Sequence, residues 1–191
     1  GVPSAEGVTV HGAHRNGIDK QAAVAYATRG VLVDMARSRG VDRLAAGTVV
    51  SPDDLDAALD AARVTIEPGD VLLIRTGHLA TWRVDGDRMG FNFGAPGISV
   101  EAVDWLRARD VAAVASDTTL VEVMPSVDPA LVCPVHLLAI RDMGMPLGEI
   151  FDLERLAAEC ADDGVHTFQF VAQPLCITGG VGSPVNPVAI R

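Results

Sequence analysis

The sequence predicts an α/β fold with a mixed sheet, and three stretches carry that expectation. Ser51-Pro52-Asp53-Asp54 is a helix start. A serine hydroxyl accepts from the free amides there, proline suits the first helical position, and aspartates meet the positive end of the dipole. Pro68-Gly69-Asp70 then turns the chain into Val71-Leu-Leu-Ile74, apolar at every position. Such a run reads as a strand covered on both faces, or as a barrel strand. Val111 to Asp117 repeats the pattern and ends in an acid. Strand and helix therefore alternate as βαβ units require in the middle of the chain, with strands and turns at both ends.

Composition narrows the class. A chain of 191 residues is long enough to bury a core, and with 49% apolar and 21% charged residues it is globular rather than disordered. No apolar run approaches the roughly 18–20 residues of a membrane span, and no basic-then-apolar leader opens the sequence. The expected setting is cytoplasmic, without a membrane partner. The net charge is −10, spread over helix surfaces such as Asp53, Asp54, Asp56 and Asp60, which repels phosphate backbones and argues against a nucleic-acid partner. Cys133, Cys160 and Cys176 are odd in number and lie in apolar segments, so free buried thiols are expected.

Taken in order, Gly1 to Gly7 reads as a surface turn, and His11-Gly-Ala-His14 as exposed loop histidines lacking further ligands nearby. Gly30 to Ala36 is a short apolar strand. Leu55, Ala58, Leu59 and Ala62 form the buried stripe of the first long helix. Residues 77–98 read as a loop of about 20 residues. It holds Trp82, Phe91 and Phe93 in a chain only 4% aromatic. Aromatics so placed are either a pocket wall or anchors to the core. Ser99 caps the next helix, with Val103, Trp105 and Leu106 turned inward. Asp117, at a strand end, is either a site residue or a turn residue.

The richest stretch is Cys133 to Leu153. His136 stands at the head of Leu137, Leu138, Ile140 and Met143, which recur at helical spacing. Met145 to Ile150 reads as a short strand carrying Glu149, and Asp152 caps a helix running to Ala161. Imidazole and carboxylate are ligands for zinc or manganese. A capped helix followed by a strand with one polar residue explains the same letters. Thr167 to Leu175 is a strand. Gly179 to Pro184 lacks the lysine and the strand–loop–helix setting of a phosphate loop, so it reads as a turn into a last strand, Val185 to Ile190.

Familiar chemistries are missing. There is no Gly-x-Ser-x-Gly elbow and no dinucleotide fingerprint, and Cys133 sits among apolar residues that disfavour a thiolate. His136 and Glu149 alone do not complete a metal site, which usually takes at least three protein ligands.

The order of Thr28-Arg-Gly-Val-Leu-Val-Asp34, Ser51-Pro-Asp-Asp-Leu55, Pro68 to Gly77 and Pro96-Gly97 resembles the metal-dependent cyclase family, which includes bacterial kynurenine formamidases and isatin hydrolases. The likeness continues through Ala115-Ser-Asp117, Glu122-Val-Met-Pro125, Pro134-Val-His136-Leu-Leu138, Gly148-Glu149 and Gly182 to Ile190, and is closer to the longer, isatin-hydrolase-like members. It implies a swivelling β/β/α fold, with residues 1–191 as one cyclase-like domain, the larger C-terminal part of a longer chain. It implies hydrolysis of an amide, lactam or similar carbonyl by a metal-activated water, the metal being zinc or manganese. Family members hold that metal mainly through a His-x-Gly-Thr-His-x-Asp-x-Pro-x-His segment. The sequence does not contain it, and by the family pattern it ends shortly before Gly1, together with the catalytic histidine. His136 and Glu149 match the remaining formamidase ligands. Trp82, Phe91, Phe93 and Asp117 are the expected substrate-facing residues, and a homodimer or homotetramer is the expected assembly. The alternatives are a catalytically inactive remnant or binding module of the same fold, and an α/β enzyme of another chemistry.

Overall fold

The computed structural model describes residues 7–24 and 26–191. All but the last residue of the expected turn Gly1 to Gly7 thus lies outside the described residues. The elements begin with a hairpin of β1 (Val8–Thr9) and β2 (Gly12–Ala13), then α1 (Ile18–Ala22), β3 (Ala27–Asp34), α2 (Met35–Ser38), β4 (Val49–Val50) and α3 (Pro52–Ala62). There follow β5 (Val71–Arg75), α4 (Leu79–Arg83), α5 (Arg88–Phe93), β6 (Gly97–Ile98), α6 (Glu101–Ala108) and β7 (Ala113–Ser116). After a long connection, the helical turn α7 (Pro134–His136) widens into a π-helix over Leu137–Met143. Next come β8 (Leu147–Gly148), α8 (Glu154–Asp163), β9 (Thr167–Val171) and β10 (Val188–Ile190).

Six strands form one mixed sheet in the order β10-β9-β3-β5-β7-β8. β3, β5, β7 and β8 run parallel, β9 is antiparallel to β3, and β10 is antiparallel to β9. Side chains alternate across this sheet, and both faces are covered. Val31, Val33, Leu72, Ile74 and Val114 pack with residues of α3 and α6, whereas Leu32, Val71, Leu73 and Ala115 pack with Phe151, Phe168, Phe170 and the buried side of α8. Two covered faces leave no position for a polar residue, which explains the unbroken apolar runs. Each fully buried leucine, isoleucine or valine contributes about 1.5–3 kcal/mol. The sheet is open, so the barrel reading of these strands does not apply.

Local signals set the helix starts. Ser51 Oγ accepts from the Asp54 amide at 3.2 Å and Asp54 Oδ2 accepts from the Ser51 amide at 2.9 Å, a reciprocal cap. Leu55, Ala58 and Leu59 are buried beneath it, with Ala62 half-buried. Other expectations shift. The strand expected to reach Ala36 stops at Asp34, because the Asp34 carboxylate accepts from the Arg37 amide and starts α2. Ser99 is one residue early as a cap: its amide donates to the Val50 carbonyl and extends the β4–β6 pairing, so Val100 takes the cap position. Residues 77–98 are not a loop but α4, α5 and β6, with Asp87 accepting from the Gly90 amide at the start of α5. Asp152 is likewise one residue early, since Leu153 holds the cap position of α8. Of the three free thiols only Cys160 is buried; Cys133 is half-buried and Cys176 exposed. Among the described residues no helix is long and apolar enough to cross a membrane.

Candidate functional site

The site grows from the connection that leaves the end of β7. Asp117, 1% exposed, turns inward and accepts from the Thr76 amide, the Thr76 hydroxyl and the Gly77 amide at 2.7–2.9 Å. Burial pushes its pKa up, and these donors with the Arg75 charge oppose the push. Five residues on, the chain makes a tight turn. The Glu122 amide donates back to the Leu120 carbonyl at 2.5 Å, and Val121 between them sits at φ 61°. Positive φ is sterically costly for a β-branched residue, and a γ-turn of this hand is rare and strained. Gly97 lies directly against the turn: a Cβ there would stand 2.3 Å from the Glu122 carbonyl carbon, so only glycine lets the two backbones meet.

This turn delivers Glu122 into the interior, 2% exposed. Oε2 accepts from the Val135 amide at 3.1 Å and Oε1 from the His136 amide at 3.2 Å, the free amides at the start of α7. The same Oε1 lies 2.5 Å from His136 Nδ1. On the other side of the ring, His136 Nε2 is 3.1 Å from Glu149 Oε1. Glu149 directly follows β8, whose Gly148 leaves no room for a side chain against Ala115 and Phe151. The imidazole is thus held between a buried carboxylate and one that is 37% exposed. The bond to Glu122 and then the bond to Glu149 raise the His136 pKa to about 9, against the opposing effect of burial.

His136 and Glu149 open onto a cavity of about 560 Å³, walled in part by Ile140, Leu147, Ile150 and Phe151, with Tyr26 and Ser183 as polar members. Its size and mixed lining suit a small organic molecule.

The other expected site residues lie elsewhere. Phe91 is 2% exposed, stacked on His78 with centroids 5.3 Å apart and tilted against Trp82 at 5.6 Å. Trp82 is 36% and Phe93 70% exposed. Neither these three nor Asp117 lines the His136 cavity. Burial lowers the pKa of His78, which with Arg43 and Asp87 borders a second hollow of about 420 Å³. His11 and His14 are exposed beside the β1–β2 hairpin, where His14 Nε2 meets Thr9 Oγ1 at 3.3 Å. The residue that sequence reasoning missed is Glu122. Its signal was an acid alone between Leu120-Val121 and Val123-Met124, since a charge in an apolar stretch is buried only with a partner.

An open, mostly parallel sheet with a histidine–carboxylate cluster beside its edge strand defines an α/β protein with a candidate site at one sheet edge. The sequence pattern of the family named Cyclase matches residues 8–123, and the chain belongs to that family. Among solved structures, a crystal structure of a novel cyclase is 37% identical with a TM-score of 0.88, covering 100% of this chain and 63% of that one. Isatin hydrolase A from Ralstonia solanacearum is 24% identical with a TM-score of 0.72, covering 92% of this chain and 64% of its own. A potential metal-dependent hydrolase with cyclase activity is 18% identical with a TM-score of 0.58, covering 94% and 71%. The last two likenesses carry the fold. The chain spans just under two thirds of the length of the first two proteins. Among curated proteins none matches significantly.

Proposed function

We propose that the chain serves a metal-dependent hydrolase that cleaves the C–N bond of an amide, lactam or similar carbonyl substrate. In this reading His136 and Glu149 are ligands of a divalent cation, zinc or manganese. The observation that carries it is the setting of His136, with a buried carboxylate at Nδ1 and a more exposed one beside Nε2. Metal-ligating histidines are commonly held in this way by an outer carboxylate. The donor chemistry fits, since imidazole nitrogen and carboxylate oxygen suit both cations. The pair supplies two donors, and among the described residues no group of three or more candidate ligands gathers. The reading therefore calls for donors beyond this pair.

When bound, such a cation supplies Lewis acidity, polarising a carbonyl and lowering the pKa of water. The rest falls to the chain's own side chains. Glu122 holds a proton on Nδ1, so that loss of the Nε2 proton, which otherwise bonds Glu149, would free the Nε2 lone pair for the cation. Ile140, Leu147 and Ile150 give the cavity an apolar wall beside the polar pair, which orients a planar carbonyl compound. The likeness to a protein named as an isatin hydrolase supports an aromatic lactam as substrate. Self-association into a dimer or tetramer belongs to the same reading.

Calorimetric titration of chelator-treated full-length protein with Mn²⁺ and Zn²⁺ tests this. The unsubstituted protein binds a divalent cation, and His136→Ala or Glu149→Ala weakens binding by about tenfold or more and removes hydrolysis of isatin. Failure of the unsubstituted protein to bind either cation overturns the reading. That result would favour a binding module of the same fold without metal, an alternative that the two-donor set itself supports.

A further inference from the structure

Five described non-glycine residues sit at positive φ: Arg63, Asp110, Val121, Cys133 and Ile150. Arg63 ends α3 and Asp110 follows α6, ordinary places for a left-handed residue. The other three flank the histidine–carboxylate cluster, and two of them, Val121 and Ile150, are β-branched and adjoin Glu122 and Glu149. Val121 is 1% exposed, so apolar burial offsets its strain. Ile150 has much less of this compensation, being 42% exposed at φ 60°.

The backbone conformation at Ile150 is imposed from outside the residue. Its amide donates to the Thr118 carbonyl at 2.9 Å, and the Phe151 amide donates to the Ser116 carbonyl at 3.0 Å. These bonds lash the chain just after Glu149 to the end of β7. Glycine, asparagine or aspartate would take the left-handed conformation at lower cost. What isoleucine adds is a branched apolar side chain, and that side chain lines the cavity shared by His136 and Glu149.

We propose that Ile150 is a specificity-determining residue, holding the apolar ring of a cyclic carbonyl substrate beside Glu149 at the expense of local stability. This rests on the hydrolase reading for the nature of the substrate, but its test is separate. Phthalimide and succinimide are cyclic imides that differ by one fused benzene ring. Calorimetry on the unsubstituted protein should show phthalimide bound about tenfold or more tightly than succinimide. Ile150→Asn should reduce that preference to about twofold through loss of phthalimide binding alone, whereas Ile150→Leu should keep it. The melting temperature of chelator-treated Ile150→Asn should equal or exceed that of the unsubstituted protein, and its Mn²⁺ affinity should be unchanged.

An imide preference that survives Ile150→Asn, or that is missing from the unsubstituted protein, overturns the assignment. So does a fall in melting temperature, which would give isoleucine a stabilising role, or a fall in Mn²⁺ affinity, which would make it part of the ligand frame. Absence of Mn²⁺ binding in the unsubstituted protein would sink the hydrolase reading and leave the imide comparison to decide Ile150.

Discussion

Asp117 and Glu122 are carboxylates five residues apart on one long connection, 1% and 2% exposed, yet they do opposite work. Asp117 spends its oxygens on Thr76 and Gly77, neutral groups at the end of β5, and so ties β5 to β7. Glu122 spends its own on the two amides opening α7 and on a titratable ring, which in turn reaches an exposed carboxylate at a cavity. Burial alone does not separate a structural acid from a functional one. The separation lies in the partners: fixed dipoles end a network, whereas an imidazole extends it to a surface where a ligand can enter.

The largest expected effect follows from removing the structural member. Asp117→Ala leaves three buried donors unmet, each costing about 1–3 kcal/mol, so a total loss of about 3 kcal/mol or more is expected. A guanidinium midpoint shift reads this directly. A loss under about 1 kcal/mol would mean that water reaches Thr76 and Gly77, and the contrast with Glu122 would fail. Gly97→Ala comes next, because it drives a methyl into the Glu122 backbone. Overpacking of this kind costs about 1–3 kcal/mol. Here it should also weaken Mn²⁺ binding, since the displaced turn is the one that aims Glu122 at His136. Stability lost with Mn²⁺ affinity intact would show that the γ-turn does not position the site.

Glu122→Gln sharpens the comparison from the other side. The amide oxygen still accepts from Val135, so stability should fall by only about 1 kcal/mol. Mn²⁺ affinity should fall about 10–100-fold, the usual effect of losing an outer-shell partner. In chelator-treated protein the His136 ring should titrate near 9 and move toward 6.5 in the variant, followed by NMR. The sign is set by linkage. A folded midpoint above the unfolded value near 6.5 means the stabilisation is complete below pH 6.5 and drains away as pH climbs through about 9. The variant should flatten that slope. An unchanged slope would assign it to other groups.

The two regions were unequally legible in the sequence, for physical reasons. The doubly covered sheet was visible because Val71 to Ile74 must be apolar on both faces, a constraint written into consecutive letters. His136 and Glu149 stood out by residue type, and the structure places them 3.1 Å apart. Glu122 did not stand out as a partner, because its contacts come from a helix start across a long connection and no local spacing announces them. Nor did the turns at Val121 and Ile150, since valine and isoleucine stand where the conformation favours glycine or asparagine. The segment holding Trp82, Phe91 and Phe93 was read as a loop because its glycines and aspartates mask α4 and α5, which are only five and six residues long.

The smallest expected effect tests whether the others are specific. Ser51→Ala removes one half of the reciprocal cap on α3, far in sequence from His136, leaving Asp54 paired with Arg39 at 2.9 Å. Loss of such a cap costs about 1 kcal/mol, close to the stability loss expected for Glu122→Gln. The two variants should therefore unfold at similar midpoints but part on Mn²⁺ affinity, which Ser51→Ala leaves within about twofold while Glu122→Gln lowers it 10–100-fold. If Ser51→Ala weakens Mn²⁺ binding as much, the affinity is following general loosening of the sheet. Glu122 would then join Asp117 as a structural acid, and the distinction between the two carboxylates would dissolve.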